Sequence, residues 1–126
     1  MDLQNYELRG VRVVEFAKAG DQLRNDRQAI DMISEASACT PELIIIPVER
    51  LSEDFFQLKT RVAGEILQKF VTYRKRVVIL GDISKQLSDS SALRDFVYEC
   101  NTGRQVWFVA SVKELEQKLL AQTGQL

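Results

Sequence analysis

Three short apolar runs constrain the fold more than any other feature of this chain. They occupy residues 43–46, 77–80 and 106–109, and none alternates with polar residues as a half-exposed strand would. Runs of this kind, rich in β-branched side chains, are typical of strands that are covered on both faces of a sheet. Because helical segments separate them, the runs predict parallel strands joined by right-handed crossovers.

Two further strands are predicted before these runs. Residues 6–8 and 11–16 flank Arg9 and Gly10, where glycine can supply the positive φ that a tight hairpin turn needs. The predicted order is β-β-α-β-α-β-α-β-α, an α/β fold in which an N-terminal hairpin leads into a mostly parallel mixed sheet packed with about four helices. We expect residues 1–126 to form a single domain with a frayed tail from about residue 122.

The first two helices are predicted from capping residues and apolar spacing. Asp21 is the expected N-cap of a helix that runs to about Ala38 and buries a narrow stripe (Leu23, Ala29, Ile30 and Ile33). The most strongly amphipathic segment is residues 54–73, whose apolar side chains recur at three- and four-residue steps (Phe55, Leu58, Val62, Ile66, Leu67 and Phe70).

The last two helices have recognisable ends. One spans about residues 91–100 and directs apolar residues inward (Leu93, Phe96, Val97 and Cys100), with Gly103 expected as a left-handed cap. The other opens with Ser111 and Glu114 in capping-box spacing and is expected to bury Val112, Leu115 and Leu119.

Composition excludes several classes of function. The net charge is −1 and no basic stripe occurs, which argues against nucleic-acid binding. No apolar run is long enough to span a membrane, and the N-terminus lacks the basic and apolar segments of a signal peptide. We therefore expect a cytoplasmic protein.

The chain has no histidine, which removes the commonest general base and metal ligand. No phosphate-binding loop, dinucleotide fingerprint or nucleophile elbow occurs, and we expect no cofactor, metal site or catalytic residue set. An enzyme that uses Asp, Glu, Lys or Thr stays possible. Cys39 and Cys100 are expected to be buried or half-buried thiols, with a disulfide as the alternative.

Three motifs resemble the pattern of a family of small bacterial proteins that is catalogued only as a domain of unknown function. They are FFxLKTxxAGEILQKF at residues 55–70, GD at 81–82 and LRDFxYExNxGR at 93–104. The family pattern reads glycine after Lys-Thr, where this chain has Arg61.

The predicted element order is also similar to that of STAS domains, the fold of bacterial anti-sigma-factor antagonists. In those domains a partner kinase phosphorylates a Ser or Thr at the start of the second helix, and this releases the bound partner. Aligning residues 59–62 with their Ser-Ser-Gly-Leu motif sets Thr60 at the phosphorylated position, although Leu58 replaces the acidic residue that normally precedes the motif. The resemblance implies a regulatory domain that binds another protein.

The candidate binding residues are Lys59, Thr60, Glu65, Asp82, Arg94 and Glu99. Thr60 is either an accessible hydroxyl at a helix N-terminus, open to phosphorylation, or a mid-helix residue if the helix begins at Ser52 or Asp54. Ser52 is a second candidate for phosphorylation. The charged candidates belong either to a solvated surface or to a site at the carboxyl ends of the strands. The alternative for Asp82 is that it only helps to form the turn after the strand.

Three functional hypotheses follow. The first is a non-enzymatic regulatory or protein-interaction domain, with or without a phosphorylation switch at Thr60 or Ser52. The second is a small-ligand-binding protein or histidine-free enzyme, which requires at least three of the charged candidates to converge in one cleft. The third is a homodimer that forms through the helix at residues 55–73.

Some apolar and small residues bear on these hypotheses. Phe55 and Phe56 cannot both be buried on one helical stripe, so one is expected to face a partner. Gly64 is expected to allow close packing of the helix backbone, and the alternative is that it gives a ligand access. Trp107 is expected to lie in the core.

Overall fold

A five-stranded mixed sheet forms the centre of the computed structural model, which describes residues 3–123. Strands follow the order of the chain across the sheet: β1 (Leu3–Leu8), β2 (Val11–Phe16), β3 (Leu43–Pro47), β4 (Arg76–Leu80) and β5 (Val106–Val109). The β1–β2 pair is antiparallel, and the three remaining pairs are parallel. The predicted hairpin and mostly parallel sheet are therefore confirmed.

Residues 3–123 include five α-helices: α1 (Asp26–Ser37), α2 (Val62–Thr72), α3 (Ser84–Asp89), α4 (Ser91–Thr102) and α5 (Val112–Thr123). Three single 3₁₀ turns connect β3 to α2, at Val48–Arg50, Glu53–Phe56 and Leu58–Thr60. The sequence did not predict α3. Within the expected frayed tail, residues 122 and 123 still belong to α5, and residues 124–126 lie outside the described residues. None of the described helices has the length and apolar character needed to cross a membrane.

Side chains alternate between the two faces of the sheet, as the two-residue period of a strand requires. One face packs against α1, α2 and α4, because successive right-handed crossovers in one direction leave their helices on the same side. The other face packs against α5 through Leu115 and Leu119. Trp107 points to the α5 side and is 4% exposed, which confirms its predicted place in the core.

The start of α1 differs from the prediction. Asn25 is the N-cap, and its side chain accepts a hydrogen bond from the backbone N–H of Gln28. Leu23 precedes the helix and instead forms an isolated bridge with Leu51. Ala29 and Ile33 are buried as predicted, and Met32 and Ala36 complete the buried side of the helix. Ile30 is only half-buried. Asp21 was the wrong cap because the loop from residue 17 continues past it.

The amphipathic segment 54–73 is not one helix. Its apolar period is interrupted at Arg61, which adopts a left-handed conformation with φ of 67°, and α2 begins only at Val62. The residues before Arg61 form two 3₁₀ turns that bury both Phe55 and Phe56, at 0% and 8% exposure. The prediction that one phenylalanine is exposed was therefore wrong, because both were assigned to a single helical stripe.

The ends of the last two helices test two capping predictions. Gly103 has φ of −92°, so the predicted left-handed cap is wrong. Half of the capping box predicted before α5 is present. Ser111 Oγ accepts a hydrogen bond from Glu114 N at 3.2 Å, whereas Glu114 Oε1 accepts from Ala110 N at 2.8 Å rather than from Ser111 N. Leu115 and Leu119 are buried as expected, while Val112 is half-buried.

Candidate functional site

Thr60 holds together the turn that precedes α2. Its Oγ1 lies 2.7 Å from the carbonyl oxygens of both Asp54 and Gln57, and it accepts a hydrogen bond from Val62 N at 3.2 Å. A hydroxyl has a single proton, so it donates to one of these carbonyls at a time. The residue is nevertheless exposed. Thr60 therefore combines surface access with a structural role.

The left-handed Arg61 separates this turn from the helix. Arg61 is the N-cap of α2 but makes no side-chain capping bond, so the hydroxyl of Thr60 binds the first helical N–H in its place. The interpretation of Thr60 as a mid-helix residue is wrong, and the alternative of a position at the start of the helix is correct. Lys59, Arg61 and Glu65 are exposed around Thr60. We call these four residues the Thr60 corner.

Gly64 lies in the first turn of α2, next to this corner. It is exposed, and a Cβ added there would meet no atom from the rest of the described fold within 4 Å. The predicted close backbone packing at Gly64 is wrong, because Ala63 and Ile66 are the residues that face the core.

A pocket of about 350 Å³ opens beside the corner. Lys59 lines it together with Phe56, Gln57 and Leu58 from the 3₁₀ turns, and Gln86, Asp89, Ser90 and Ala92 line it from the α3–α4 region. The unpredicted helix α3 therefore forms one wall of this pocket. We call it the corner pocket.

A second cavity, of about 290 Å³, lies at the carboxyl ends of β4 and β5. Asp82 lines it with Ser84 and Glu114, and its apolar lining includes Ile83 and Leu87. Asp82 Oδ1 accepts a hydrogen bond from Ser84 N at 2.9 Å, and this bond lowers the pKa of the Asp82 carboxyl. We call this space the strand-end cavity.

The remaining candidates lie elsewhere. Arg94 Nη1 donates to the carbonyl of Leu87 at 2.7 Å, which ties α4 to α3, and Glu99 is exposed on α4. Within residues 3–123, Lys59 is the one candidate that lines the corner pocket and Asp82 the one that lines the strand-end cavity. Neither cavity brings together the three charged candidates that the second hypothesis requires. In the same residues, no group of three or more cysteines and carboxylates is arranged to hold a metal ion.

Ser52 does not suit the role proposed for it. It is 3% exposed, and its Oγ is buried without a hydrogen-bond partner in the described part of the chain. A kinase could not reach this hydroxyl in the folded protein, so the prediction of Ser52 as a phosphorylation site is wrong.

The two cysteines are free and half-buried, as expected. Burial, and to a smaller extent the negative charge of Glu99, raises the pKa of the Cys100 thiol. A raised pKa keeps this sulfur protonated and weakly nucleophilic at neutral pH.

The sequence did not predict one cluster of cationic side chains. Arg76, Arg104 and Lys118 lie around Trp107, although they come from the start of β4, the loop before β5 and the middle of α5. The separation of these residues along the chain hides the cluster, and the one signal was the presence of a single tryptophan.

Comparison with known proteins identifies a family without assigning an activity. The family model described as Domain of unknown function (DUF4180) matches residues 8–119, which is most of the chain, so the chain belongs to this family. No curated protein and no solved structure matches the chain.

Proposed function

We propose that this member of the DUF4180 family is a non-enzymatic regulatory domain of the bacterial cytoplasm that binds a protein partner through the Thr60 corner, with phosphorylation of Thr60 controlling the contact. One observation carries the proposal: an exposed threonine hydroxyl lies directly before the N-cap of α2 and bonds both the preceding turn and the first helical N–H.

Phosphorylation of Thr60 would change the corner in two ways. The phosphate ester has no hydroxyl proton at Oγ1, so the bond to the carbonyls of Asp54 and Gln57 would be lost. The added charge of about −1.5 to −2 would be favoured by the helix dipole of α2 and by the neighbouring Arg61. Conformation and charge would therefore change together at one surface.

The chemistry of the other candidates supports a non-enzymatic role. Asp82, the candidate at the strand ends, has a lowered pKa because it accepts a backbone hydrogen bond. A carboxylate with a lowered pKa is a weak general base at neutral pH. Glu114, which lines the same cavity, accepts a hydrogen bond from Ala110 N.

Co-purification from the source organism tests the proposal. We expect tagged wild-type protein to retain a partner and the Thr60→Glu variant to lose most of it. Thr72→Glu is the matched control, because Thr72 is also exposed and lies at the other end of α2. Equal recovery of the partner with both variants would contradict the proposal.

A second candidate function is small-ligand binding in the strand-end cavity, through its apolar lining and Asp82 rather than through three converging charged candidates. Its position at the carboxyl ends of parallel strands is where open α/β sheets commonly bind ligands. Leu87→Trp, which would fill the cavity, should abolish binding of any ligand that co-purifies, whereas Ser88→Trp on the exposed side of α3 should not. Retention of the ligand by Leu87→Trp would exclude this cavity.

A second copy of the chain is an alternative partner. Val71 and Tyr73 at the end of α2 are 40% and 48% exposed, and such side chains would be covered in a dimer that uses this helix. Sedimentation of Tyr73→Lys against wild type tests this alternative. Loss of a dimer in the variant would support it, and a monomer in both would exclude it.

A further inference from the structure

Trp107 lies close to two cationic side chains on the α5 side of the sheet. The guanidinium carbon of Arg76 and the Nζ of Lys118 each lie 4.8 Å from the centroid of the indole ring. The indole N–H donates to the carbonyl of Gly103 at 2.8 Å, which fixes the orientation of the ring. Two positive charges are thus held against one rigid aromatic side chain.

Backbone and amide oxygens bind these cations without neutralising them. Arg76 Nε donates to the carbonyl of Arg104 at 2.7 Å, and its Nη2 donates to Gln122 Oε1 at 2.8 Å. Lys118 Nζ donates to the carbonyl of Asn101 at 3.2 Å. These bonds use only part of the five N–H donors of a guanidinium and the three of an ammonium. Donors therefore remain for a ligand.

A third cation adds to the positive charge. Arg104 is exposed at the same place. The pKa of Arg76 is lowered mainly by the burial of Arg76 and next by the positive charge of Arg104. Within residues 3–123, the ion pairs are Arg9–Glu116 and Arg12–Glu42, so no carboxylate there pairs with any of the three cations. Glu42, the acidic residue whose charge acts on Arg76, is already bound to Arg12. As far as the described residues go, no ion pair offsets the positive charge of the cluster.

A cavity opens beside the cluster. Its volume is about 320 Å³, and it is lined by Gly103, Arg104, Trp107, Lys118, Ala121 and Gln122. This volume is close to the lower limit for small-molecule sites and is larger than one inorganic anion requires. The Trp107 cavity is thus lined by Arg104 and Lys118, and Arg76 is hydrogen-bonded to Gln122 of the same lining.

We propose that the Trp107 cavity binds the phosphate group of a small molecule through Arg104 and Lys118, with Arg76 adding positive charge beside the cavity. A phosphate carries up to two negative charges at neutral pH, which suits a group of three cations better than the single charge of one carboxylate. Arginine supplies planar paired donors to phosphate oxygens, and lysine supplies a compact positive charge. The site lies at the amino-terminal end of β5 and is independent of the Thr60 corner.

Tryptophan fluorescence provides a direct test, because Trp107 is the chain's single tryptophan. Inorganic phosphate and glycerol phosphate are titrated separately into the full chain at constant ionic strength, with sodium chloride as the balancing salt. We expect a saturable change in emission with each phosphate compound. Tighter binding of glycerol phosphate would identify a phosphate ester as the ligand, and equal binding would identify free phosphate.

Two variants and an acetate titration make the test specific. Arg104→Gln removes an exposed charge and should weaken phosphate binding about tenfold, the factor expected for one charge-assisted hydrogen bond. Lys113→Gln is the matched control, because Lys113 is exposed on α5 and does not line the cavity. Circular dichroism checks that both variants fold. A phosphate signal no larger than that of chloride, equal binding by Arg104→Gln and wild type, or acetate binding as tight as phosphate would each overturn the proposal.

Discussion

The side-chain amide of Asn101 forms two hydrogen bonds with the backbone of Phe108. Asn101 Oδ1 accepts from Phe108 N at 2.8 Å, and its Nδ2 donates to Phe108 O at 3.2 Å. The parallel register directs the carbonyls of Gln105 and Val109 toward β4, so the backbone groups of Phe108 face the open edge of the sheet. Asn101 therefore takes the place of a neighbouring strand at this edge.

Closing the edge has a consequence for association. An unpaired edge strand is a template for pairing with another chain. Asn101→Leu should lower the free energy of unfolding by about 2 kcal/mol, because it removes both hydrogen bonds, and should increase self-association. Urea denaturation and sedimentation measure the two effects. Asp95→Leu, on the exposed surface of α4, is the control for an added apolar side chain. A monomeric Asn101→Leu variant of wild-type stability would contradict this role.

The conformation of Arg61 predicts a stabilising substitution. A left-handed backbone costs about 1–2 kcal/mol for a residue with a Cβ, and glycine avoids this cost. Arg61→Gly should therefore raise the free energy of unfolding by about 1 kcal/mol. Arg61→Ala is the control, because it removes the same long side chain but keeps the Cβ. The explanation fails if Arg61→Gly is no more stable than Arg61→Ala in chemical denaturation.

Arg61 also illustrates what the sequence could predict. The three apolar runs predicted β3, β4 and β5, because both-face burial leaves a direct compositional signal. The prediction of one helix over residues 54–73 was wrong. The left-handed conformation of Arg61 ends the helical pattern but leaves the three- and four-residue apolar spacing on either side almost unchanged, so the sequence does not show the break. Glycine at this position, as in the family pattern, would have indicated the break.

The candidate sites were harder to predict than the fold. Thr60 could be identified because its neighbours along the chain form the corner. The cluster around Trp107 draws on residues 76, 104 and 118, which the sheet and α5 bring together only after folding. Sequence spacing carries no information about such contacts.

The hydrogen bonds of Thr60 predict a stability effect that does not depend on any partner. Thr60→Val keeps the shape of the side chain but removes Oγ1, so the free energy of unfolding should fall by about 1–2 kcal/mol. Thr60→Ser keeps the hydroxyl and should stay within about 0.5 kcal/mol of wild type. Equal losses in the two variants would show that the hydroxyl does not hold the turn.

Removal of the Ser52 hydroxyl should have the opposite effect on the free energy of unfolding. Among residues 3–123 the Oγ of Ser52 has no hydrogen-bond partner, and a buried polar group without a hydrogen bond is destabilising. Ser52→Ala should therefore raise the free energy of unfolding by about 1 kcal/mol. Ser91→Ala, at an exposed serine at the start of α4, should leave it nearly unchanged. A destabilised Ser52→Ala protein would indicate that the hydroxyl has a partner.

The raised pKa of Cys100 predicts slow alkylation. The thiolate is the reactive form, so a higher pKa moves the reaction to higher pH. The reaction of Cys100 with iodoacetamide is followed against pH in a Cys39→Ser background. The same protein unfolded in urea should show a midpoint near the usual thiol pKa of about 8.5, and the folded protein should show a higher midpoint. Glu99→Gln should lower the folded midpoint, because it removes a negative charge that raises the pKa. A folded midpoint at or below the unfolded one would contradict the burial argument.

Native mass spectrometry of the wild-type protein, purified gently from its own organism, tests the central proposal most directly. We predict a complex with a second protein, together with a fraction of unbound chain that carries a phosphate at Thr60. A chain that is free of any protein partner and unmodified at Thr60 would contradict the proposal.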